Sequence, residues 1–197
     1  EMPVQYTTLV AEHQAVRQQV GLFDISHMGQ FVVSGPGAEP FLNHALTNDI
    51  SRLAPGQGQY TLLLNKEGGV IDDLIAYRTS EREFFLVVNA ARLAEDWAHF
   101  QTLLAGWSDE HPAVQMQDLS PVCAGVAVQG PRSREVFQAV FGPDAPYPER
   151  NTVFVSLTRD GFLWLCGTGY TGEEGFEFFM PAEVASTWCE RLLNAVR

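Results

Sequence analysis

The sequence predicts an α+β fold in which antiparallel sheets are flanked by helices. Short apolar segments follow one another through tight turns, and hairpins outnumber the strand-helix-strand crossovers that parallel sheets need. Glycine and proline mark the turns, as in Gly35-Pro36-Gly37. The chain has 197 residues, of which 46% are hydrophobic and 18% are charged, so it can bury a substantial core.

The first half of the chain begins with helices and continues into strands. Thr8 can cap the first helix and Gly21 can end it. The other helices show apolar residues at helical spacing, and the strands are short apolar runs between turn residues. In order, we predict a helix over 8–20, a strand over 23–34 with an irregular centre at 26–29, a helix over 38–46, strands over 60–65, 70–78 and 84–88, and a helix over 92–104.

The second half repeats this mixture, with strands over 113–118 and 125–129 and a helix over 131–141 whose first turn accommodates Pro131. A hairpin of strands 153–158 and 162–167 turns at Asp160-Gly161. A glycine-rich loop over 169–175, a strand over 176–180 and a helix over 182–196 complete the chain. The proline-rich stretch 143–148 is a candidate boundary.

Charge and composition exclude several classes of function. There are 24 acidic and 12 basic residues, a net charge of −12, which argues against nucleic acid and anionic membranes as partners. No apolar run approaches the ~20 residues of a membrane span, and no secretory signal is visible, so we expect a cytoplasmic protein, or a matrix protein if it is mitochondrial. Three widely spaced cysteines and five histidines without ligand spacing predict free thiols and no metal site.

Two adjacent aspartates interrupt the apolar strand 70–77. Because side chains alternate along a strand, Asp72 lies on one face with Leu74, and Asp73 lies on the other with Ile75. A carboxylate among apolar residues is costly unless it is paired or hydrogen-bonded. Either aspartate could close the hairpin structurally, and either could point into a pocket and bind a cation or a ring N–H.

The glycine-rich loop and the strand after it form a second candidate site. Three glycines within residues 169–175 allow sharp bends and close approach of a ligand. Tyr170 offers a ring and a hydroxyl, and Glu177 lies among phenylalanines. Carboxylates beside aromatic rings suit a flat heterocycle that presents donors, such as a pterin, a purine or an amidine. An ordinary turn followed by a strand with one solvated glutamate is the alternative.

The segment 20–29 contains Asp24, Ser26 and His27, which together could suggest a catalytic triad. The segment lacks the strand-to-helix turn that exposes a nucleophilic serine in hydrolases. Hydrogen bonding within a bend is the better interpretation.

In this order, seven motifs together resemble aminomethyltransferase, the T-protein family of the glycine cleavage system, over nearly the whole chain. They are Val20-Gly21-Leu22-Phe23-Asp24-Ile25-Ser26-His27-Met28-Gly29, Thr47-Asn48-Asp49, Tyr60, Gly68-Gly69-Val70-Ile71-Asp72-Asp73-Leu74, Val87-Val88-Asn89-Ala90, Gln129-Gly130-Pro131 and Thr168-Gly169-Tyr170-Thr171-Gly172-Glu173.

The resemblance implies a fold, a reaction and a site. The family's folate-binding region consists of two intertwined antiparallel α+β modules around tetrahydrofolate. The family takes an aminomethyl group from the lipoyl arm of H-protein, releases ammonia and gives 5,10-methylenetetrahydrofolate. By motif match, Asp73 is the key carboxylate beside the folate, where it would stabilise an iminium-like cation and orient the folate nitrogens. The matching folate-pocket positions are Tyr60, Val87, Asn89, Tyr170 and Glu177, with Met28 and Val32 as the apolar wall.

The resemblance also implies a domain organisation. Residues 1–197 correspond to a truncated folate-binding aminomethyltransferase domain, with a possible inner module at about 53–119. The family's C-terminal barrel and a glycine- and arginine-containing motif would lie beyond residue 197. We therefore expect weak or no catalysis by this chain alone.

Two other functions share the fold. One is a folate-binding paralogue without transferase activity that assists iron–sulfur protein maturation. The other is the folate domain of a dimethylglycine or sarcosine dehydrogenase, or of a related demethylase. The paired aspartates 72 and 73 and the loop 169–173 favour the transferase.

Overall fold

The computed structural model describes residues 4–107, 111–159 and 161–196. Within these ranges the helices are α1 (Leu9–Gln18), α2 (Ala38–Ala45), α3 (Leu93–Ala105), α4 (Ser133–Phe141) and α5 (Ala185–Val196). The strands are β1 (Gly21–Asp24), β2 (Gly29–Ser34), β3 (Gly58–Leu64), β4 (Val70–Ser80), β5 (Glu83–Val88), β6 (Gln115–Asp118), β7 (Cys123–Gln129), β8 (Val153–Thr158), β9 (Gly161–Cys166) and β10 (Gly175–Pro181). The predicted α+β class is confirmed.

The strands form two antiparallel sheets of five strands each. The first sheet has the order β1-β7-β10-β9-β8, and the second sheet has the order β3-β4-β5-β2-β6. The predicted hairpin of β8 and β9 is present, and Gly161 turns with a φ of 99°, whereas Asp160 lies outside the described residues.

The prediction of one strand over 23–34 is wrong, because β1 and β2 belong to different sheets. The carboxylate of Asp24 accepts a hydrogen bond from the backbone N–H of Ser26 at 2.9 Å, and the N–H of Met28 donates to the carbonyl of Ile25 at 3.0 Å. These two local bonds turn the chain out of the first sheet and into the second.

The two sheets lie face to face, and each is covered by helices on its other side. We call the facing surfaces the inner faces, and the helix-covered surfaces the outer faces. On the second sheet, α2 and α3 cover an outer cluster around Phe31, Phe41 and Phe100. On the first sheet, α4 and α5 cover an outer cluster around Phe176 and Trp188. Fully burying side chains of this size stabilises the fold by about 1.5–3 kcal/mol each.

A third cluster, the inner cluster, joins the two sheets. It contains Tyr77 and Phe85 from the second sheet and Cys166 and Phe179 from the first. The rings of Phe85 and Trp164 stack in parallel with their centroids 4.8 Å apart. The inner faces are therefore packed at one end by apolar contacts.

Backbone hydrogen bonds join the sheets at one corner. The N–H of Gly58 donates to the carbonyl of Asn151 at 2.8 Å, and the N–H of Val153 donates to the carbonyl of Gly56 at 2.9 Å. These bonds fix the start of β3 against the start of β8, so the two inner faces keep a defined separation.

Cys123 and Cys166 are buried free thiols, and Cys189 is a half-buried one. Among the described residues, no helix is long and apolar enough to cross a membrane.

Candidate functional site

The predicted site residues on the sheets lie on the inner faces. In the second sheet, Tyr60 pairs with Ile75, which in turn pairs with Val87. Asp73 lies one pleat further along β4, opposite Leu62. Glu177 in β10 alternates with the outward-facing Phe176 and Phe178, so it points to the inner side of the first sheet.

The two aspartates of β4 lie on opposite faces, as the strand alternation predicts. Asp72 is on the outer face with Leu74 and is 5% exposed. Asp73 is on the inner face and is half-buried. Of the two carboxylates, Asp73 is the one that a molecule between the sheets could reach.

Asn89, just after β5, connects both aspartates. Its backbone N–H donates to Asp72 Oδ2 at 3.1 Å, and its side-chain amide donates to Asp72 Oδ1 at 3.0 Å. The same amide nitrogen lies 2.9 Å from the backbone carbonyl of Asp73 and 3.3 Å from its Oδ1. Asn89 is thereby held by three groups of β4, and its position determines the surroundings of the Asp73 carboxylate.

Two tyrosines lie beside Asp73. The rings of Tyr60 and Tyr170 are 56% and 74% exposed. Burial, followed by the charge of Asp73, raises the pKa of the Tyr60 phenol. Burial, followed by the charges of Asp73 and Glu177, also raises the pKa of Tyr170. Both phenols therefore stay protonated and can donate hydrogen bonds.

Glu177 ends a buried chain of hydroxyl groups. The Thr168 hydroxyl donates to Glu177 Oε2 at 2.5 Å, and the Tyr77 hydroxyl lies 2.6 Å from Thr168 Oγ1. Because Thr168 has one hydroxyl hydrogen and gives it to Glu177, Tyr77 is the donor to Thr168. Burial raises the pKa of Glu177, and the bond from Thr168 opposes that rise.

The glycine-rich loop forms one wall of a cavity of about 560 Å³. Tyr60 and Ile75 line it from the second sheet, and Thr168 and Tyr170 line it from the loop. A side chain at Gly169 would collide with the amide of Gln129, which is held by Thr168 and Thr171, and Gly172 has a φ of 76°. The loop shape therefore requires glycine at both positions.

Not every predicted residue faces this cavity. Met28, Val32 and Val87 pack in the inner cluster. Val32 also lines a separate apolar groove of about 450 Å³ that includes Phe162 and Trp164. Asp73, Asn89 and Glu177 lie beside the tyrosines that reach the cavity, rather than on its wall.

Asp24 and Ser26 take part in the bend between the sheets. The Ser26 hydroxyl bonds with backbone groups of Gly125 at 3.2–3.3 Å. In the described part of the chain, no group of three or more His, Cys, Asp or Glu side chains could hold a metal ion.

The sequence interpretation missed Tyr77, Thr168 and Asp96. Tyr77 could have been found, since strand alternation puts it on the same face as Asp73. Thr168 opens the glycine-rich loop, but its bond to Glu177 depends on the sheet. Asp96 is on the buried side of α3, where no motif marks it.

The sequence of this chain is similar to those of known proteins. The chain is similar to curated aminomethyltransferases. That of Deinococcus deserti is 45% identical over 98% of this chain and 53% of its own length, and that of a Thermus thermophilus strain is 44% identical over 93% and 51%. The chain thus spans about half the length of the curated relatives it matches.

Solved structures are also similar to this fold. The glycine cleavage system aminomethyltransferase T from Bartonella henselae superposes with a TM-score of 0.86 at 35% identity, over 98% of this chain and 50% of that chain. The heterotetrameric sarcosine oxidase from Corynebacterium sp. U-96 matches with a TM-score of 0.64 at 17% identity, over 95% of this chain and 90% of that chain, a likeness of fold alone.

The family model described as the GCVT N-terminal domain matches residues 1–197. This match, together with the identity of the curated relatives and the likeness of the fold, shows that the chain belongs to the GCVT N-terminal domain family.

Proposed function

We propose that this chain forms the folate-binding part of an aminomethyltransferase of the glycine cleavage system. The observation that carries the proposal is the meeting of Asp73, Tyr60 and Tyr170 beside one cavity. The substrates would be tetrahydrofolate and the aminomethylated lipoyl arm of H-protein. The domain assignment, one folate-binding region over 1–197 with an inner module at about 53–119, is part of this proposal.

The residues present fit a pterin with its ring N–H groups. A half-buried carboxylate can accept hydrogen bonds from such groups, and two exposed aromatic rings can stack on a flat heterocycle. Asn89 would hold the Asp73 carboxylate in place, and Glu177 would accept a further hydrogen bond from a ring donor. Met28, Val32 and Val87 would support the site from the inner cluster and make its base apolar.

Asp73 would act by charge and position. In the proposed reaction a carbon–nitrogen bond of the aminomethyl group breaks with release of ammonia, its bond to sulfur breaks to leave a thiol, and two bonds to folate nitrogens form. Positive charge develops on the transferred carbon, and a fixed carboxylate beside it lowers the energy of that state. The tyrosine hydroxyls remain protonated and keep the carboxylate oriented.

The matching relatives also bear on the location and on the alternative functions. Their bacterial sources support a cytoplasmic location. Identities of 44–45% to aminomethyltransferases favour the transferase over the folate domain of a dimethylglycine or sarcosine dehydrogenase or a related demethylase. Transfer activity would distinguish the transferase from the iron–sulfur paralogue.

The test compares tetrahydrofolate binding and transfer in Asp73→Asn and wild type. Titration calorimetry on this chain and on the full-length protein should show saturable binding that the substitution weakens. In the full-length protein, turnover from aminomethylated H-protein should fall by about 10²–10³, the usual effect of removing one electrostatic group. Asp118→Asn, in the edge strand β6, is the matched control. Near-normal turnover in Asp73→Asn would refute the assignment of Asp73, and folate binding without any transfer by the full-length wild type would favour the paralogue.

A further inference from the structure

One buried carboxyl group plays no part in the proposed folate contacts. Asp96, in the first turn of α3, has no exposed surface, and neither of its carboxyl oxygens accepts a hydrogen bond from an N–H or O–H of the described residues. An ionised carboxylate in such surroundings would carry a large desolvation cost with nothing to offset it.

The side chain that meets Asp96 is another carboxyl group. Asp72 approaches it from the outer face of β4, within hydrogen-bonding range. Two ionised carboxylates repel each other at this separation, whereas a pair that retains one proton forms a strong O–H···O bond. The arrangement is therefore stable only if one of the two groups is neutral.

The hydrogen bonds decide which carboxyl group keeps the proton. Asp72 accepts two bonds from Asn89, one at each oxygen, so it already serves as the acceptor of the pair. No donor among the described residues reaches Asp96, and the carboxyl group it meets is Asp72, so Asp96 is the member of the pair that supplies a hydrogen. The proton accordingly belongs on Asp96, which donates it to Asp72.

The other charged groups near Asp96 are Arg92 and Glu95. Burial, with the contact and charge of Asp72 acting in the same direction, raises the pKa of Asp96 to about 8, while Arg92 lowers it and Glu95 raises it. The Arg92 guanidinium donates to the carbonyl of Ile71 at 3.0 Å and lies 3.5 Å from Glu95 Oε1. Two of its nitrogens thus bond to groups other than Asp96, and its charge only partly offsets the burial of that carboxyl group.

We propose that Asp72 and Asp96 share one proton, with Asp96 as the neutral acid, and that the pair positions Asn89 and through it the Asp73 carboxylate. The hydrogen-bonded chain runs from the outer cluster through the sheet to its inner face. Asp96 and Asp72 are positioning residues. Their link to folate rests on the proposed function, whereas the shared proton does not.

Two substitutions separate this proposal from a purely structural role. In Asp96→Asn an amide N–H can replace the acid O–H as donor to Asp72, with almost the same shape. Asp96→Leu keeps the branched shape with a somewhat larger side chain, and the donor is lost. We expect the urea midpoint of the Asn variant to stay near wild type at neutral pH, and that of the Leu variant to fall well below it.

The dependence on pH gives an independent readout. A folded-state pKa above the unfolded one means that the folded chain binds more protons between the two values, so stability falls as pH rises from about 4 towards 8. Asp96→Asn has no proton to lose and should not show this part of the fall. As pH rises from 5 to 9, the urea midpoint of the wild type should therefore fall relative to that of Asp96→Asn, so that the Asn variant becomes relatively more stable at high pH.

The decisive measurement is the NMR titration of the Asp96 carboxyl carbon, assigned by its absence in Asp96→Asn. Titration near pH 8 supports the shared proton. Titration near pH 4, with the ordinary aspartates, or equal destabilisation of the Asn and Leu variants at neutral pH, would overturn it.

A folate readout tests the link to Asp73. In the full-length protein, Asp96→Leu should weaken tetrahydrofolate binding several-fold, and Asp96→Asn should restore it. Equal binding by the Leu variant and wild type would refute the positioning role. If the wild type binds no folate while Asp96 titrates near pH 8, the proposed function fails and the shared proton stands.

Discussion

The two faces of the second sheet place neighbouring aspartates in opposite surroundings. On the outer face, Asp72 is buried under α3, and both of its oxygens accept hydrogen bonds from Asn89. On the inner face, Asp73 is half-buried beside the exposed rings of Tyr60 and Tyr170. Adjacent residues of one strand thus differ in role: Asp72 fixes the local geometry, and Asp73 can be reached by a ligand. We therefore expect changes on the outer face to affect stability and changes on the inner face to affect binding.

The largest loss of stability is expected from a substitution in the core under the outer face. Phe31 is fully buried and packs against the rings of Trp97 and Phe100, with centroids 5.1 and 6.3 Å away. Phe31→Ala should lower the free energy of unfolding by about 3–5 kcal/mol, because it leaves a cavity in the outer cluster. Urea unfolding followed by circular dichroism measures this loss.

The matched variant is Tyr170→Ala, in the loop beside the inner face, where the side chain is largely exposed. It should change the free energy of unfolding by no more than about 0.5 kcal/mol. Losses of equal size in the two variants would show that the two faces do not differ in this way.

A smaller effect is expected where the two faces are connected. Asn89→Ala removes the side-chain amide that bonds to both aspartates, so Asp72 Oδ1 loses its donor. The backbone N–H of residue 89 still donates to Asp72 Oδ2. We expect a loss of about 1–3 kcal/mol in unfolding free energy, together with weaker tetrahydrofolate binding by the full-length protein. Asn65→Ala, in the turn between β3 and β4, is the control, since its hydrogen bonds to Glu67 and Gly69 lie away from the site. Folate binding unchanged in Asn89→Ala would separate Asn89 from the site.

The smallest effect concerns the carboxylate of the first sheet. Burial raises the pKa of Glu177 in the folded chain, so the folded state holds its proton to higher pH than the unfolded state does. Stability is then lost as pH rises from the ordinary glutamate pKa through the raised one. Glu177→Gln should flatten this part of the curve of unfolding free energy against pH. The exposed Glu67→Gln should leave the curve unchanged, and an unaltered slope in Glu177→Gln would mean that Glu177 titrates normally.

Local patterns predicted most of this comparison. The alternation of β4 assigned Asp72 and Asp73 to opposite faces, and the turn residues placed the hairpins. The motif resemblance selected Asp73, which the structure places on the open face. Each of these inferences depends on residues that are close in sequence.

The remaining features depend on contacts between distant segments. Continuous strand character over 23–34 could not show that the segment divides between two sheets, because pairing partners are chosen elsewhere in the chain. The partner of Asp96 lies on β4, and the relay from Tyr77 through Thr168 to Glu177 joins three segments. Helical or strand periodicity carries no information about such neighbours.

The division of the N-terminal segment between two sheets has a consequence for synthesis on the ribosome. Gly21 of β1 pairs with Gln129 of β7, and Phe31 of β2 pairs with Asp118 of β6, whereas β3, β4 and β5 are successive hairpin partners. In a nascent chain, β3, β4 and β5 can therefore pair as soon as they leave the ribosome. β1 can pair only after β7 has been synthesised. Such a high contact order slows folding and leaves an early strand edge exposed to other chains in the meantime.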